Sequence, residues 1–347
     1  MGDASVRGRR SGTPRAAENA TDGTAPGRGA DLVDVTVAVL TFRRNEELAT
    51  LLPLLVREID ALAATREPGF TTEVVVVDND PARGAEHLVG AFRADRVRYA
   101  AEPTAGIAAA RNRALSEAGR SRLLVFIDDD ERPVEGWLTR IVGTHGELGP
   151  AAVAGPVRSR FEGDLDPWIE AGGFFRRVHN EHLRTGDRVP AAATNNLLLD
   201  MTVVRRHGLR FDESLGLSGG EDTLFTRALV AAGGTIVWCR EAEVIDVVPA
   251  ARMTRRFVLS RVYSHSNVSV GALLRLAGSP ARRGAVRARY LVIGSGRTVL
   301  GAARAVAGTV VRRADLQASG MRLVARGAGS IVAVAGRRTE EYRRDQG

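Results

Sequence analysis

From Val35 onward, short β-branched runs alternate with stretches whose apolar residues recur at helical spacing. That alternation predicts a mostly parallel α/β sheet flanked by helices. VTVAVL (35–40) is a continuous apolar strand, with the polar TFRRN (41–45) at its carboxyl end. Over 46–60, Leu48, Leu51, Leu52, Leu55 and Ile59 fall on one helical face. Pro53 interrupts that face and should kink the helix or shift its start later. EVVVVDND (73–80) is a second buried strand closed by Pro81, and 97–100 is a short third. After the turn EPTAG a helix is predicted over 107–118, with Gly119 as its stop. LLVFI (123–127) is the most strand-like run and leads into Asp128, Asp129, Asp130 and Glu131. Loops bearing Gly, Pro and Trp follow (155–190), then a helical stretch near 200–207, a helix over 221–232 and the strand TIVWC (235–239). From 251 the chain reads as helical, basic and free of repeats, with a break at 278–280.

Three strands thus deliver polar or acidic residues at their carboxyl ends, the edge where open parallel sheets bind ligands. Neither GxGxxG nor GxxxxGK[ST] occurs, which argues against a dinucleotide dehydrogenase or a P-loop ATPase. With 44% hydrophobic residues the chain can bury a core. The single cysteine, Cys239, excludes a disulfide framework and a multi-cysteine zinc site, and reads as an inert core thiol. All 49 basic residues are arginine, so lysine chemistry is absent. Net charge is +8, but 251–347 hold 19 Arg against four acids, leaving the first 250 residues at −7. Residues 1–30 lack the apolar core of a secretory signal and read as a disordered leader, so a cytoplasmic protein is expected. The expected organisation is that leader, a catalytic domain over 31–250 and a basic, mostly helical region over 251–347.

The run Asp128-Asp129-Asp130-Glu131 carries the sharpest chemistry. Alternation at a strand end should place Asp128 and Asp130 on one side and Asp129 on the other. Oxygen ligands so close suit Mg²⁺ or Mn²⁺ bridging to a diphosphate; the alternative is a solvated acidic turn. Asp78 can accept hydrogen bonds from a nucleobase or ribose, or else begin an Asx turn into Pro81. Arg111, after the EPTAG turn, offers a planar fork to phosphate oxygens, or is an exposed helix arginine. Asp222, behind Gly219 and Gly220, can be a general base or an ordinary helix-dipole partner. The paired glycines suggest close approach of backbone to ligand. The histidines show no metal spacing, and HNEH (179–182) reads as surface.

In order and spacing, VTVAVLTFRRNEEL (35–48), EVVVVDND (73–80), GIAAARNRAL (106–115), FIDDDERPVEGWL (126–138) and GLRFDESLGLSGGEDTLFTRAL (208–229) resemble a family 2 glycosyltransferase of the GT-A fold. TFRR, VVDND, FIDDDE, GPVRSRF and SGGEDT most resemble the succinoglycan-type exopolysaccharide glucosyltransferases. The resemblance covers roughly 33–265. It implies inverting transfer of a sugar from a nucleoside-diphosphate donor, with UDP-glucose favoured, to a hydroxyl of a lipid-linked or other glycan acceptor. By the same resemblance Asp78 and the backbone near Thr41 and Phe42 bind the nucleoside, and Arg111 holds the nucleotide. Asp128 lies by the ribose and diphosphate, Asp130 takes the metal, Asp222 is the base and Glu221 lies close to the acceptor. Many relatives have a histidine after the strand that follows the base helix; here VIDVVP puts Asp246 there.

In the loops, Trp168, Phe174 and Phe175 can stack on sugar rings, or simply pack a loop, and Asn195 and Asn196 can bond acceptor hydroxyls. The arginines of 252–344 alternate with Val, Leu, Ile and Ala, as in a helix lying on an anionic membrane surface; a packed helical subdomain is the alternative. Peripheral association with the inner face of the cell membrane is therefore expected. The rivals are a sugar nucleotidyltransferase and a non-enzymatic nucleic-acid-binding protein. Against the latter, the basic run lacks interleaved aromatics, and no nucleic acid partner is expected.

Overall fold

A computed structural model of the chain describes residues 32–92, 96–176, 181–215 and 220–336. The expected leader, His179 and Gly219 lie outside the described residues. Along the chain run β1 (Val33–Thr41), α1 (Asn45–Ala64), β2 (Thr72–Asp78), α2 (Glu86–Gly90), β3 (Val97–Ala101), α3 (Ile107–Glu117) and β4 (Ser121–Asp128). Next come β5 (Glu131–Pro133), α4 (Trp137–Leu148), β6 (Ala152–Ala154), β7 (Val157–Phe161), α5 (Pro167–Gly172), β8 (Asn196–Asp200) and α6 (Met201–Arg206). The remainder is α7 (Glu221–Ala231), β9 (Ile236–Trp238), β10 (Val244–Val248), α8 (Arg255–Leu276), α9 (Pro280–Val310) and α10 (Ala314–Val334).

Seven strands form the main sheet in the order β3-β2-β1-β4-β8-β6-β9. The first four are parallel, and β8 runs antiparallel to both β4 and β6. A smaller sheet has the order β5-β10-β7. Helices cover both faces of the main sheet, so its strands are apolar throughout. Val35, Val37 and Val39 pack toward the leucines of α1, while Ala38, Leu124 and Phe126 pack on the opposite side with α3. Pro53 lies inside α1, which starts at Asn45 and not later. Burial of Leu48, Leu51, Leu52, Leu55, Ile59 and Leu62 outweighs the roughly 3 kcal/mol cost of an internal proline.

The expectation of a repeat-free C-terminal region needs correction. Gly294, Gly301 and Gly308 recur every seventh residue along α9, and Gly320 and Gly327 share that spacing on α10. A Cβ on Gly301 would lie 2.7 Å from the Gly320 carbonyl oxygen, so the two helix backbones touch where side chains are missing. The packed alternative for this region is thus partly realised. Its seam is a glycine ladder that a reading of hydropathy alone passes over.

Candidate active site

The strand order reverses between β1 and β4, which opens a crevice at their carboxyl ends. Register sets Leu40 beside Asp128 and Thr41 beside Asp78, so three strand ends meet there. The regular strand stops at Asp128, and residues 129 and 130 turn. The expected alternation therefore fails. Arg44 Nη1 donates to both Asp129 Oδ1 (2.9 Å) and Asp130 Oδ2 (3.0 Å). Thr41 Oγ1 donates to Asp129 Oδ2 at 2.9 Å, and Arg252 Nη1 donates to Asp130 Oδ2 at 2.9 Å. Burial works against the charge on Arg44, yet Asp129 and Asp130 more than offset it and hold its pKa above the ordinary value. No side chain among the described residues hydrogen-bonds the Asp128 carboxylate. Burial first, then Asp130 and Asp129, push it up to about 7 against the pull of Arg111 and Arg44.

Across the crevice, buried Arg111 pairs with Glu221 Oε1 at the start of α7 and faces the Phe211 ring. Glu221 Oε2 is buried with no hydrogen-bond partner among the described residues. Burial raises the Glu221 carboxyl even though Arg111 opposes the shift. Asp222 is adjacent and partly exposed; its Oδ1 accepts from the Thr223 amide. Gly220 has φ +87°, and a Cβ there would lie 2.2 Å from Val268 Cγ1 on α8. That glycine is thus required by its packing against α8.

On the third side Asp78 is buried and shapes its own loop. Its Oδ1 accepts from the Asp80 amide (2.9 Å), and its Oδ2 accepts from the Ala85 amide (2.9 Å) and Tyr99 OH (3.1 Å). Thr41 is likewise buried, and its carbonyl accepts from the Asn79 amide at 2.9 Å. Phe42 is partly exposed beneath the Arg43 guanidinium.

Two expected acceptor residues are engaged elsewhere. Asn196 is buried: its Oδ1 accepts from Trp137 Nε1 (2.9 Å), and its Nδ2 donates to the carbonyls of Pro156 (3.0 Å) and Ala242 (2.7 Å). Trp168 is 4% exposed and stacked on Phe174, with the Arg255 guanidinium over its ring. Its Nε1 donates to Gln317 Oε1 of α10 at 2.9 Å. Neither has a face left for a sugar, because each lies in a seam between elements. Phe175 makes an edge contact with Phe161. Asn195 stays at the rim, where its Nδ2 donates to Glu131 Oε1 at 2.7 Å. Cys239 is buried with its thiol pushed up by that burial, as an inert core group should be.

Arg44 and Arg252 are the site residues that sequence reasoning missed. TFRR at a strand end was the available signal for Arg44. For Arg252 there was none, since only the β10 pairing carries the chain back to the acids. Asp246 sits opposite Glu131 in that pairing, and the Val247 amide reaches the Asp130 carbonyl at 3.4 Å. Positive charge thus reaches the sheet edge through both Arg44 and Arg252. Among the described residues no three His, Cys, Asp or Glu form a closed metal cage. Mg²⁺ and Mn²⁺ do not require one, because one or two carboxylates plus substrate phosphates suffice. An unbonded, charge-crowded Asp128 beside Asp130 fits such a hard cation.

The model of the family described as "Glycosyl transferase family 2" matches residues 36–197, which contain this rim. The chain is also 34% identical over 250 residues to the "Succinoglycan biosynthesis protein ExoM" of Rhizobium meliloti (strain 1021), across 70% of this chain and 76% of that protein. The chain belongs to glycosyl transferase family 2. It is a glycosyltransferase, which decides against the nucleotidyltransferase and the non-enzymatic binding protein. Among solved structures, that of S. aureus TarS gives a TM-score of 0.48 at 15% identity, covering 74% of this chain and 42% of TarS. TarS 1-349 in complex with UDP-GlcNAc gives 0.48 at 14%, covering 83% and 90%. GalNAc-T7 with UDP, GalNAc and Mn²⁺ gives 0.48 at 14%, covering 69% and 52%.

Proposed function

We propose that this glycosyltransferase moves a sugar from a nucleoside-diphosphate donor, UDP-glucose foremost, to a hydroxyl of a glycan carried on a lipid, in exopolysaccharide synthesis. One observation carries the reading: Arg111 ties the start of α7, with Glu221 and Asp222, to the acidic end of β4. A base and a diphosphate site thereby share one crevice. The ExoM likeness supports the polysaccharide context.

The nucleoside lies against the backbone near Thr41 and Phe42, beside Asp78. Asp128 and Asp130 would hold Mg²⁺ or Mn²⁺, which when bound would supply positive charge to the departing diphosphate. Arg111 lies close enough to Asp128 to stabilise the same charge. Asp222 takes the proton from the acceptor hydroxyl, whose oxygen attacks the anomeric carbon from the side opposite the diphosphate. The bond to the diphosphate breaks as the new one forms, and its electron pair leaves on the phosphate oxygen, so configuration inverts. Glu221 and Asn195 lie on the acceptor side.

A nucleotide-sugar panel read for cation-dependent release of nucleoside diphosphate identifies the donor. Asp222→Asn should keep nucleotide affinity by calorimetry while transfer falls about 10²–10⁴-fold. Asp130→Ala should lose cation-dependent nucleotide binding. An Asp222→Asn enzyme with wild-type turnover would remove the base assignment.

A further inference from the structure

The outer side of α9 is a surface that the catalytic reading leaves unused. Glycines turn the inner side of this helix onto α10, and on the opposite side Val292 is 73% exposed, Val299 71%, Val306 63% and Val310 75%. At about 100° per residue these four valines fall within roughly a 40° sector, a ridge about 27 Å long. Leu291 and Leu300 border it and are also exposed. Arg282, Arg289 and Arg304 are exposed on the flank, about 70–140° around the helix from the ridge. No acidic residue occurs between Asp246 and Asp315, so α8 and α9 carry none, and Asp315 at the start of the adjoining α10 is paired with Arg313.

We infer that α9 lies in the plane of an anionic lipid surface, its valine ridge among the acyl chains and its flanking arginines at the headgroups. An apolar centre with a cationic flank is what such a surface selects. A second copy of this chain would bring like charges together along the same flank, and a nucleic acid would meet valines where it needs cations or aromatics. No helix among the described residues is long and apolar enough to cross a membrane, so the ridge rests on one leaflet. The inference rests on the proposed reading only in that a lipid-carried acceptor gives such docking a use.

The test is sedimentation of the full chain with vesicles of phosphatidylcholine containing about one third phosphatidylglycerol, beside pure phosphatidylcholine vesicles. Binding should favour the anionic vesicles and weaken as salt rises. Val299→Asp together with Val306→Asp should lower partitioning about tenfold or more, and Arg289→Glu with Arg304→Glu should remove the preference for anionic lipid. The helical signal and urea midpoint of both double variants should match wild type, since every changed side chain is exposed. Cation-dependent donor turnover without vesicles should also be unchanged, so loss of turnover counts against the catalytic reading and loss of lipid binding against this one. Equal partitioning of wild type and the Val299/Val306 variant overturns the inference. So does a wild-type dimer that the same variant splits while neither form binds vesicles.

Discussion

Replacing Trp168 with alanine separates a structural role from a sugar-binding one. The side chain is almost fully enclosed, packs with Ile169, Val258 and Ala318, and stacks on Phe174 with ring centroids 5.2 Å apart. Removing a buried indole costs about 3–5 kcal/mol. The Arg255 guanidinium, 5.0 Å from the ring centroid, adds about 0.5–1 kcal/mol. Trp168→Phe keeps most of the stack and loses the bond to Gln317, a cost of about 1 kcal/mol. Equilibrium urea unfolding should show those two decrements as shifts in midpoint at constant slope. Hydrogen exchange should show α10 losing protection first, because Trp168 joins Arg322 in anchoring it to the body. The acceptor KM of the folded fraction should stay near wild type. A raised acceptor KM with an unmoved urea midpoint would refute this and return the ring to the sugar site.

Gly301→Val places branched carbons against the Gly320 backbone, and unfolding free energy should fall by about 1–3 kcal/mol or more by urea titration. Asn196→Ala strands Trp137 Nε1 and the Ala242 carbonyl, each costing about 1–3 kcal/mol when unpaired and buried, while the Pro156 carbonyl keeps the Val244 amide. A clear drop in midpoint without a change in acceptor KM is expected. His145 is shifted below its ordinary value by burial, against the pull of Asp200 3.6 Å away. Its folded pKa is below its unfolded one, so the unfolded state takes up the proton first, and the stability it contributes is present above about pH 6.5 and lost as pH falls. Urea midpoints from pH 7.5 to 5 should therefore decline less steeply for His145→Gln than for wild type.

The parallel strands were legible because burial on both faces writes them as unbroken runs of Val, Leu and Ile. The acidic rim was legible because a strand that ends in three aspartates has few other uses. Side-chain direction at that rim was not, since it depends on where regular hydrogen bonding stops, and the turn at 129–130 undid the alternation. Trp168 and Asn196 misled for a shared reason. A polar or aromatic residue in a loop reads as available until its partners are known, and Gln317 lies 149 residues from Trp168. Arg252 was hidden in the same way, 122 positions from Asp130. The glycine ladder was in plain view, but only a search for a seven-residue period would have found it.

The seam around Trp168 also constrains how the protein is made. Synthesis proceeds from the amino end, and domains assemble in that order. Trp168 and Ile169 must leave the ribosome long before Gln317 and Ala318 arrive to cover them. A nascent chain therefore carries an oily wound while 149 further residues are added, and a product cut short before α10 keeps it, marked for chaperones and proteases by the side chain that a finished molecule hides.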